Sequence, residues 1–318
     1  MPMRPLRLLV CAEEAAGVQL LRYLGRLPEH QTVAVLTRLD SAAETVTVAS
    51  VARAMSLQLL RSQLVREAAF ADWIRESEID LLLNVHSLYI AHADVVRAPA
   101  IGSFNLHPGP LPRYAGLNAP SWAIFNGEKS HGVTVHWMDP EIDTGPIAFQ
   151  SLFELHVGDT GLTVSTRCVR LGVPLVVQLL EVASLNPQAI PVIAQELEQR
   201  TYYGVGAPNE GNVCWAWTAA TIERFVRASD FFPLPSPWGH PAATLGSRTL
   251  GICGVAFTGE ACSEAPGTVR VRSGAQVEVA TGDDWLRLVR LSVDGELVAP
   301  ARALDHGDVV GDGRLRRS

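Results

Sequence analysis

The chain runs to 318 residues, 47% of them hydrophobic, with a formal net charge of −7. That length suits two domains and supports a sizeable buried core. The acidic balance excludes a general attraction to nucleic acid or to anionic membrane surfaces. The five cysteines (Cys11, Cys168, Cys214, Cys253 and Cys262) are scattered and form no C-x-x-C pair. They fit reduced thiols in a cytoplasmic protein, not a disulfide framework or a metal site.

In chain order, residues 6–11 read as an apolar strand and 15–27 as the helix that follows. Residues 32–37 form a second strand, and 41–55 a helix opened by Ser41. A short third strand at 57–60, a helix at 67–76 and a strongly apolar strand at 79–85 come next. This alternation predicts an α/β fold with a Rossmann-like, doubly wound, mostly parallel sheet. The first turn, Cys11-Ala12-Glu13-Glu14-Ala15-Ala16-Gly17, lacks G-x-G-x-x-G and carries two carboxylates. Both features argue against a dinucleotide there.

The organising stretch is Gly102-Ser103-Phe104-Asn105-Leu106-His107-Pro108-Gly109-Pro110-Leu111-Pro112. Residues i and i+2 of a strand share a face, so Asn105 and His107 project together. The three prolines end the strand just after His107. The pair then sits at a strand's carboxyl end, where open α/β sheets bind ligands. Past it come a short helix at 119–125, strands at 131–138 and 146–156, and a helix from 159 to about 184. The apolar run at 171–183 includes Pro174, Gln178 and Glu181 and predicts a core helix, not a membrane span. Residues 187–211, rich in Pro and Gly, read as a linker. Beyond it, short alternating runs separated by Asp- and Gly-containing turns predict a small β-rich, barrel-like domain. Trp215 and Trp217, two apart, read as one face of a strand. The expected organisation is a catalytic domain over 1–186, a linker over 187–211 and a small domain over 212–318.

A lone histidine on a sheet is ordinarily structural. An amide beside it changes the reading, because Asn supplies a fixed donor for a developing oxyanion while His exchanges protons. The acidic loop Asp139-Pro140-Glu141-Ile142-Asp143-Thr144-Gly145 follows a neighbouring strand and offers Asp143 as the carboxylate that orients His107. An ion pair at about 4 Å and an effective dielectric near 20 is worth about 4 kcal/mol. It predicts a raised imidazole pKa. His131 and His136 flank a strand at a spacing unsuited to a helical metal pair, and no nucleophile elbow is present.

The series Asn105-Leu106-His107-Pro108, Leu111-Pro112-Arg113-Tyr114, Gly116, Gly132-Val133-Thr134-Val135-His136, Met138 and Ile142-Asp143-Thr144-Gly145-Pro146-Ile147 resembles the folate-dependent formyltransferase family. The resemblance implies an N-terminal domain that uses 10-formyltetrahydrofolate as formyl donor and no metal. It also implies a catalytic trio of Asn105, His107 and Asp143. The pterin would lie between His86, Ser87, Leu88, Tyr89 and Ile90 on one side and Asp139, Pro140, Glu141 and Ile142 on the other. Asn118, Trp122 and His136 resemble substrate positions of the amino-sugar and carrier-dependent branches.

Together these imply transfer to a primary amine of a small or carrier-linked metabolite, in a biosynthetic setting. Methionyl-tRNA as acceptor and hydrolysis of the formyl donor remain open alternatives. Against tRNA stand the acidic chain, Asp40 and Glu44 where a basic loop is needed, and Ala115 where the tRNA enzymes carry arginine. The first turn also departs from the family's usual Gly-Ser.

Overall fold

The computed structural model describes residues 4–39, 46–87 and 89–312. Its first strand, β1 (Arg7–Ala12), is almost wholly buried, as a central strand covered on both faces must be. In order follow α1 (Glu14–Leu24), β2 (Gln31–Thr37), α2 (Val48–Ala54), β3 (Gln58–Arg61), α3 (Phe70–Glu76), β4 (Leu81–Val85), α4 (Ala93–Arg97) and β5 (Gly102–His107). Then come β6 (Ala115–Gly116), α5 (Ala119–Phe125), β7 (Ser130–Trp137), β8 (Ile147–Glu154), α6 (Gly161–Leu185) and β9 (Tyr202–Tyr203). The seven-stranded sheet has the order β3-β2-β1-β4-β5-β7-β8. Its first five strands are parallel, whereas β7 runs antiparallel to both of its neighbours, β5 and β8. The expected doubly wound, mostly parallel sheet is therefore present, with an antiparallel edge.

Ser41, expected to open the second helix, lies outside the described residues, as do Asp40 and Glu44. The helix described there starts at Val48 under a capping box. Ser50 N–H donates to Thr47 Oγ1 (3.1 Å), and Thr47 N–H donates to Ser50 Oγ (2.9 Å). The sequence pattern does not announce α4, which has only five residues and is capped by His92. α6 is long and apolar enough to cross a membrane by length and composition alone. Here it lies across the sheet: a Cβ on Gly172 would sit 2.8 Å from Leu106 Cδ1 and 2.9 Å from Val133 Cγ2. Only glycine permits that approach.

Two compact units result. The first takes in the chain to Ala119 with Ser130–Glu154 and Ser165–Tyr203. The second takes in Pro120–Lys129, Leu155–Val164 and the chain from Gly204 onward.

The second unit contains α7 (Ala219–Ala228), β10 (Ala242–Leu245), β11 (Arg248–Ala261), β12 (Val269–Arg272), β13 (Gln276–Ala280), β14 (Asp284–Val293), β15 (Glu296–Val298) and β16 (Gly311–Asp312). Its antiparallel sheet runs β12-β13-β14-β11-β10-β16. Three register shifts between β11 and β14 curl it into a half-barrel. Trp215, Ile222, Leu250, Leu286 and Leu291 fill its core. Trp215 and Trp217 lie in a turn, not a strand, so their two-residue spacing carries no shared face; Trp215 is buried and Trp217 packs against the same core. Glu278 on β13 is also buried, with Arg270, Arg272 and Arg287 at 2.8, 3.2 and 3.3 Å. The Arg270 guanidinium lies 3.8 Å over the Trp285 ring.

Candidate active site

Strand register assembles the site. Asn84 on β4, Asn105 on β5 and His136 on β7 are direct cross-strand neighbours, so their side chains share a face. Asn84 Nδ2 donates to Asn105 Oδ1 at 2.9 Å, which fixes the amide of Asn105 with Nδ2 outward. That nitrogen reaches His136 Nε2 at 3.1 Å and donates to Asp143 Oδ1 at 3.2 Å. His136 Nδ1 donates to Trp137 O at 2.8 Å, so its Nε2 is the acceptor, an assignment made from the partners. Two residues along β5, His107 places Nδ1 3.4 Å from Asp143 Oδ2 and donates from Nε2 to Tyr114 O at 2.7 Å.

Asp143 thus joins both histidines and Asn105, with its Oδ1 also 3.4 Å from His136 Nε2. Its backbone is left-handed at φ 56°, which a short polar residue tolerates better than most. Gly116 N–H donates to Asp143 Oδ2 at 2.8 Å. At φ 91°, with a would-be Cβ only 2.1 Å from Tyr203 O, position 116 admits only glycine.

The proline-rich turn after β5 is pinned from β7 and β8. Thr134 Oγ1 donates to Gly109 O at 2.7 Å and accepts from Leu111 N–H at 3.2 Å, while Gln150 Nε2 donates to Leu111 O at 2.9 Å. His131 Nε2 donates to Pro108 O at 2.9 Å. Burial pushes the His131 pKa down to about 4, so it anchors the turn as a neutral ring.

The electrostatics correct one expectation. Burial pushes the His107 pKa down, outweighing the Asp143 carboxylate and the Tyr114 carbonyl that favour the charged ring. The predicted rise weighed the Asp143 charge alone, whereas only 3% of His107 is exposed and burial opposes the charged ring. Asp143 is pushed up by burial yet held well below the usual carboxylate range by a charged His107, by His136 and by the Gly116 N–H. The two groups titrate as one pair: burial favours the neutral ring, and the Asp143 carboxylate favours the charged one.

The donor residues implied by resemblance divide. Ile90, Pro140, Glu141 and Ile142 line a cavity of about 450 Å³, together with Arg200 and Tyr202. The recess is wide open to solvent, with Glu141 and Arg200 as its charged lining residues. Tyr89 instead packs against the core of the first unit beneath the Arg66 guanidinium. His86 Nδ1 faces Glu14 Oε2 at 3.4 Å, a contact that lowers the Glu14 pKa. Glu13 turns away to accept from Thr37 Oγ1 and Arg38 N–H. Asp139 is exposed in its loop, Ser87 is half-buried, and Leu88 lies outside the described residues. Among the implied substrate positions, His136 is in the constellation and Asn118 follows Gly116 with a left-handed backbone. Trp122 belongs to the second unit, edge-on to Phe125 and Trp238. Among the described residues no group of three or more His, Cys, Asp or Glu side chains is arranged to hold a metal ion.

Sequence reasoning missed Asn84, Gln195, Arg200 and Tyr202, and it gave Gly116 as part of a motif without its contact to Asp143. The one polar residue in the run Leu81-Leu82-Leu83-Asn84-Val85 was a signal for the first. Gln195, Arg200 and Tyr202 sit in the stretch read as linker.

Comparison with known proteins agrees with this architecture. The formyl transferase family model matches residues 18–180, and the formyl transferase C-terminal domain matches 207–308. The chain belongs to the formyl transferase family.

Similar proteins include methionyl-tRNA formyltransferases of Nitrosococcus oceani and Anaeromyxobacter sp. (strain K). Each is 29% identical, over 69% of this chain and 66% of the first protein, and over 80% of both for the second. Among solved structures, an N-formyltransferase from Helicobacter canadensis with folinic acid and dTDP-3-aminofucose has TM-score 0.65 and 18% identity, over 89% of this chain and 99% of that one. HypX from Aquifex aeolicus with tetrahydrofolic acid has TM-score 0.61 and 20% identity, over 95% of this chain and 47% of that one. At these identities the structures share the fold.

Proposed function

We propose that this protein transfers the formyl group of 10-formyltetrahydrofolate to a primary amine of a small or carrier-linked metabolite, in the cytoplasm and as a biosynthetic step. The observation that carries the reading is the Asp143 carboxylate held 3.4 Å from His107 Nδ1 and 3.2 Å from Asn105 Nδ2. Ile90, Pro140, Glu141 and Ile142 would hold the donor, with Arg200 and Tyr202 beside them. Bound there, the folate supplies an activated formyl carbon.

The residues of the chain divide the remaining work. Asn105 Nδ2 stabilises negative charge on the formyl oxygen, giving up a contact to His136 or Asp143 to do so. His107 accepts the proton of the attacking amine and returns it to N10 of the donor as the bond between N10 and the formyl carbon breaks. Asp143, already ionised, stabilises the imidazolium that forms and does not itself need to take up the proton. His107 Nε2 must leave Tyr114 O, or Nδ1 must leave Asp143, for the ring to meet substrate. Such resting contacts are common before substrate binds.

Incubation with 10-formyltetrahydrofolate and a panel of amines, read by mass spectrometry for a gain of one formyl unit, tests the reading. Formate release without any amine would instead assign hydrolysis. Methionyl-tRNA is the second reading, favoured by the curated relatives. Against it, Arg270, Arg272 and Arg287 are already paired with Glu260 and Glu278. Neutralised arginines release few counterions, so tRNA affinity should depend weakly on salt; a steep log–log slope would favour tRNA.

A further inference from the structure

The segment 190–203, which composition marks as a linker, is fastened along the two loops that bear the site. Trp137 Nε1 donates to Pro191 O (2.8 Å), and Ile147 and Ile193 exchange backbone hydrogen bonds of 2.8 and 3.0 Å. Tyr114 N–H donates to Thr201 Oγ1 (2.8 Å), and Ala115 and Gly116 pair with Tyr202 and Tyr203.

Between these fastenings, two side chains reach back to the loop of Asp143. Arg200 Nη2 donates to Ile142 O at 3.0 Å. Gln195 Nε2 donates to Asp143 O at 3.0 Å and to Gly145 O at 2.6 Å. Gln195 Oε1, by contrast, is buried without a partner. The amide orientation follows from its surroundings, because the reverse would set its oxygen against two carbonyls. Gln195 is thus used only as a donor, and both donors go to the backbone that carries one carboxylate.

We propose that Gln195 is a positioning residue, whose amide holds the backbone at Asp143 and Gly145 so that the Asp143 carboxylate stays against His107. It touches neither substrate nor His107 and acts through Asp143. The inference rests on the catalytic reading of Asn105, His107 and Asp143 for its effect on rate, but not for its effect on geometry.

The test uses the full chain with two substitutions close in size. Gln195→Met removes both donors, and Gln195→Glu replaces them with an acceptor that regains one donor only when protonated. His107 is faced by Asp143, with His136 and His86 also acting on it, and none of these is altered. Without any amine, the His107 ring titration followed by NMR should move to lower pH in Gln195→Met, because Asp143 no longer favours the charged ring. The His131 titration should stay put.

With the amine identified by the panel, kcat should fall about 10–100-fold in Gln195→Met with KM within about threefold. Gln195→Glu, an acceptor set against two carbonyls, should lower kcat at least as far. An unchanged His107 titration with a parental kcat in Gln195→Met overturns the proposal, as does a parental kcat in Gln195→Glu. Asp143→Ala in the same assay separates the two failures. If it turns over like the parent, the catalytic reading falls, while the NMR arm still decides the placement of Asp143.

Discussion

Two buried carboxylates, one in each unit, are held in opposite ways. Glu278 on β13 faces three arginines, and Asp143 faces two histidines, an asparagine amide and a backbone N–H. Burial raises the pKa of both, and in both the surrounding donors overcome it and leave the carboxylate ionised. The partners differ in what they can exchange. An arginine does not release its proton near neutral pH, so the Glu278 cluster is a fixed clamp between strands. A histidine gains or loses one within the physiological range, so the Asp143 cluster has proton traffic available to it. Two buried carboxylates therefore meet partners that differ in whether they can give up a proton.

Matched amide substitutions test that contrast hardest. Asp143→Asn should lower kcat about 10²–10⁴-fold while the chain stays folded, as should His107→Ala and Asn105→Ala, measured by steady-state kinetics alongside circular dichroism. Parental rates in all three would remove the distinction between the clusters.

Stability against pH is the next largest effect. His131 has a folded pKa of about 4 against an ordinary value of about 6.5, so the unfolded chain takes up its proton first. Its contribution is whole above about pH 6.5 and is lost as pH falls towards 4, by about 3 kcal/mol at the extreme. Depressed Asp143 adds a loss only below about pH 3.9, under that window. Urea denaturation from pH 7 to 4.5 should show the decline, and His131→Gln, which keeps a donor for Pro108 O, should lessen it, with His107, also lowered by burial, supplying part of the remainder.

Glu278→Gln should destabilise by about 2 kcal/mol with kcat little changed, read from thermal melts and kinetics together. The figure is discounted because Arg272 and Arg287 remain partly exposed. A loss of kcat with no change in melting would reverse the assignment of the two carboxylates. Thr47→Ala, remote from both, should cost about 1 kcal/mol through its lost cap and calibrates the stability scale.

The pairing of Asn105 with His107 is legible in the sequence because strand parity is fixed at two, and the prolines mark where the strand ends. The same parity misleads at Trp215 and Trp217, where the chain turns. Asp143 is legible only as a carboxylate in a loop able to return. Its backbone supports, Gln195 and Gly116, are 52 and 27 residues away and carry no local pattern. The sign of the His107 shift depends on how completely the fold excludes water, which no local pattern encodes. The contacts of residues 190–203 are hidden for a related reason: Pro and Gly texture reports the absence of regular structure, not the absence of contacts.

The reversal of direction between β5 and β7 also limits how the enzyme can be redesigned. Asn84, Asn105 and His136 meet because three strands keep their register, and a one-residue insertion before His136 within β7 would turn that imidazole to the sheet's other side. The loops that carry Gly116 and Asp143 share that constraint, because β9, Gln195 and Arg200 fasten them. Redesign therefore has to spare both the spacing inside the three strands and the two loops beyond them.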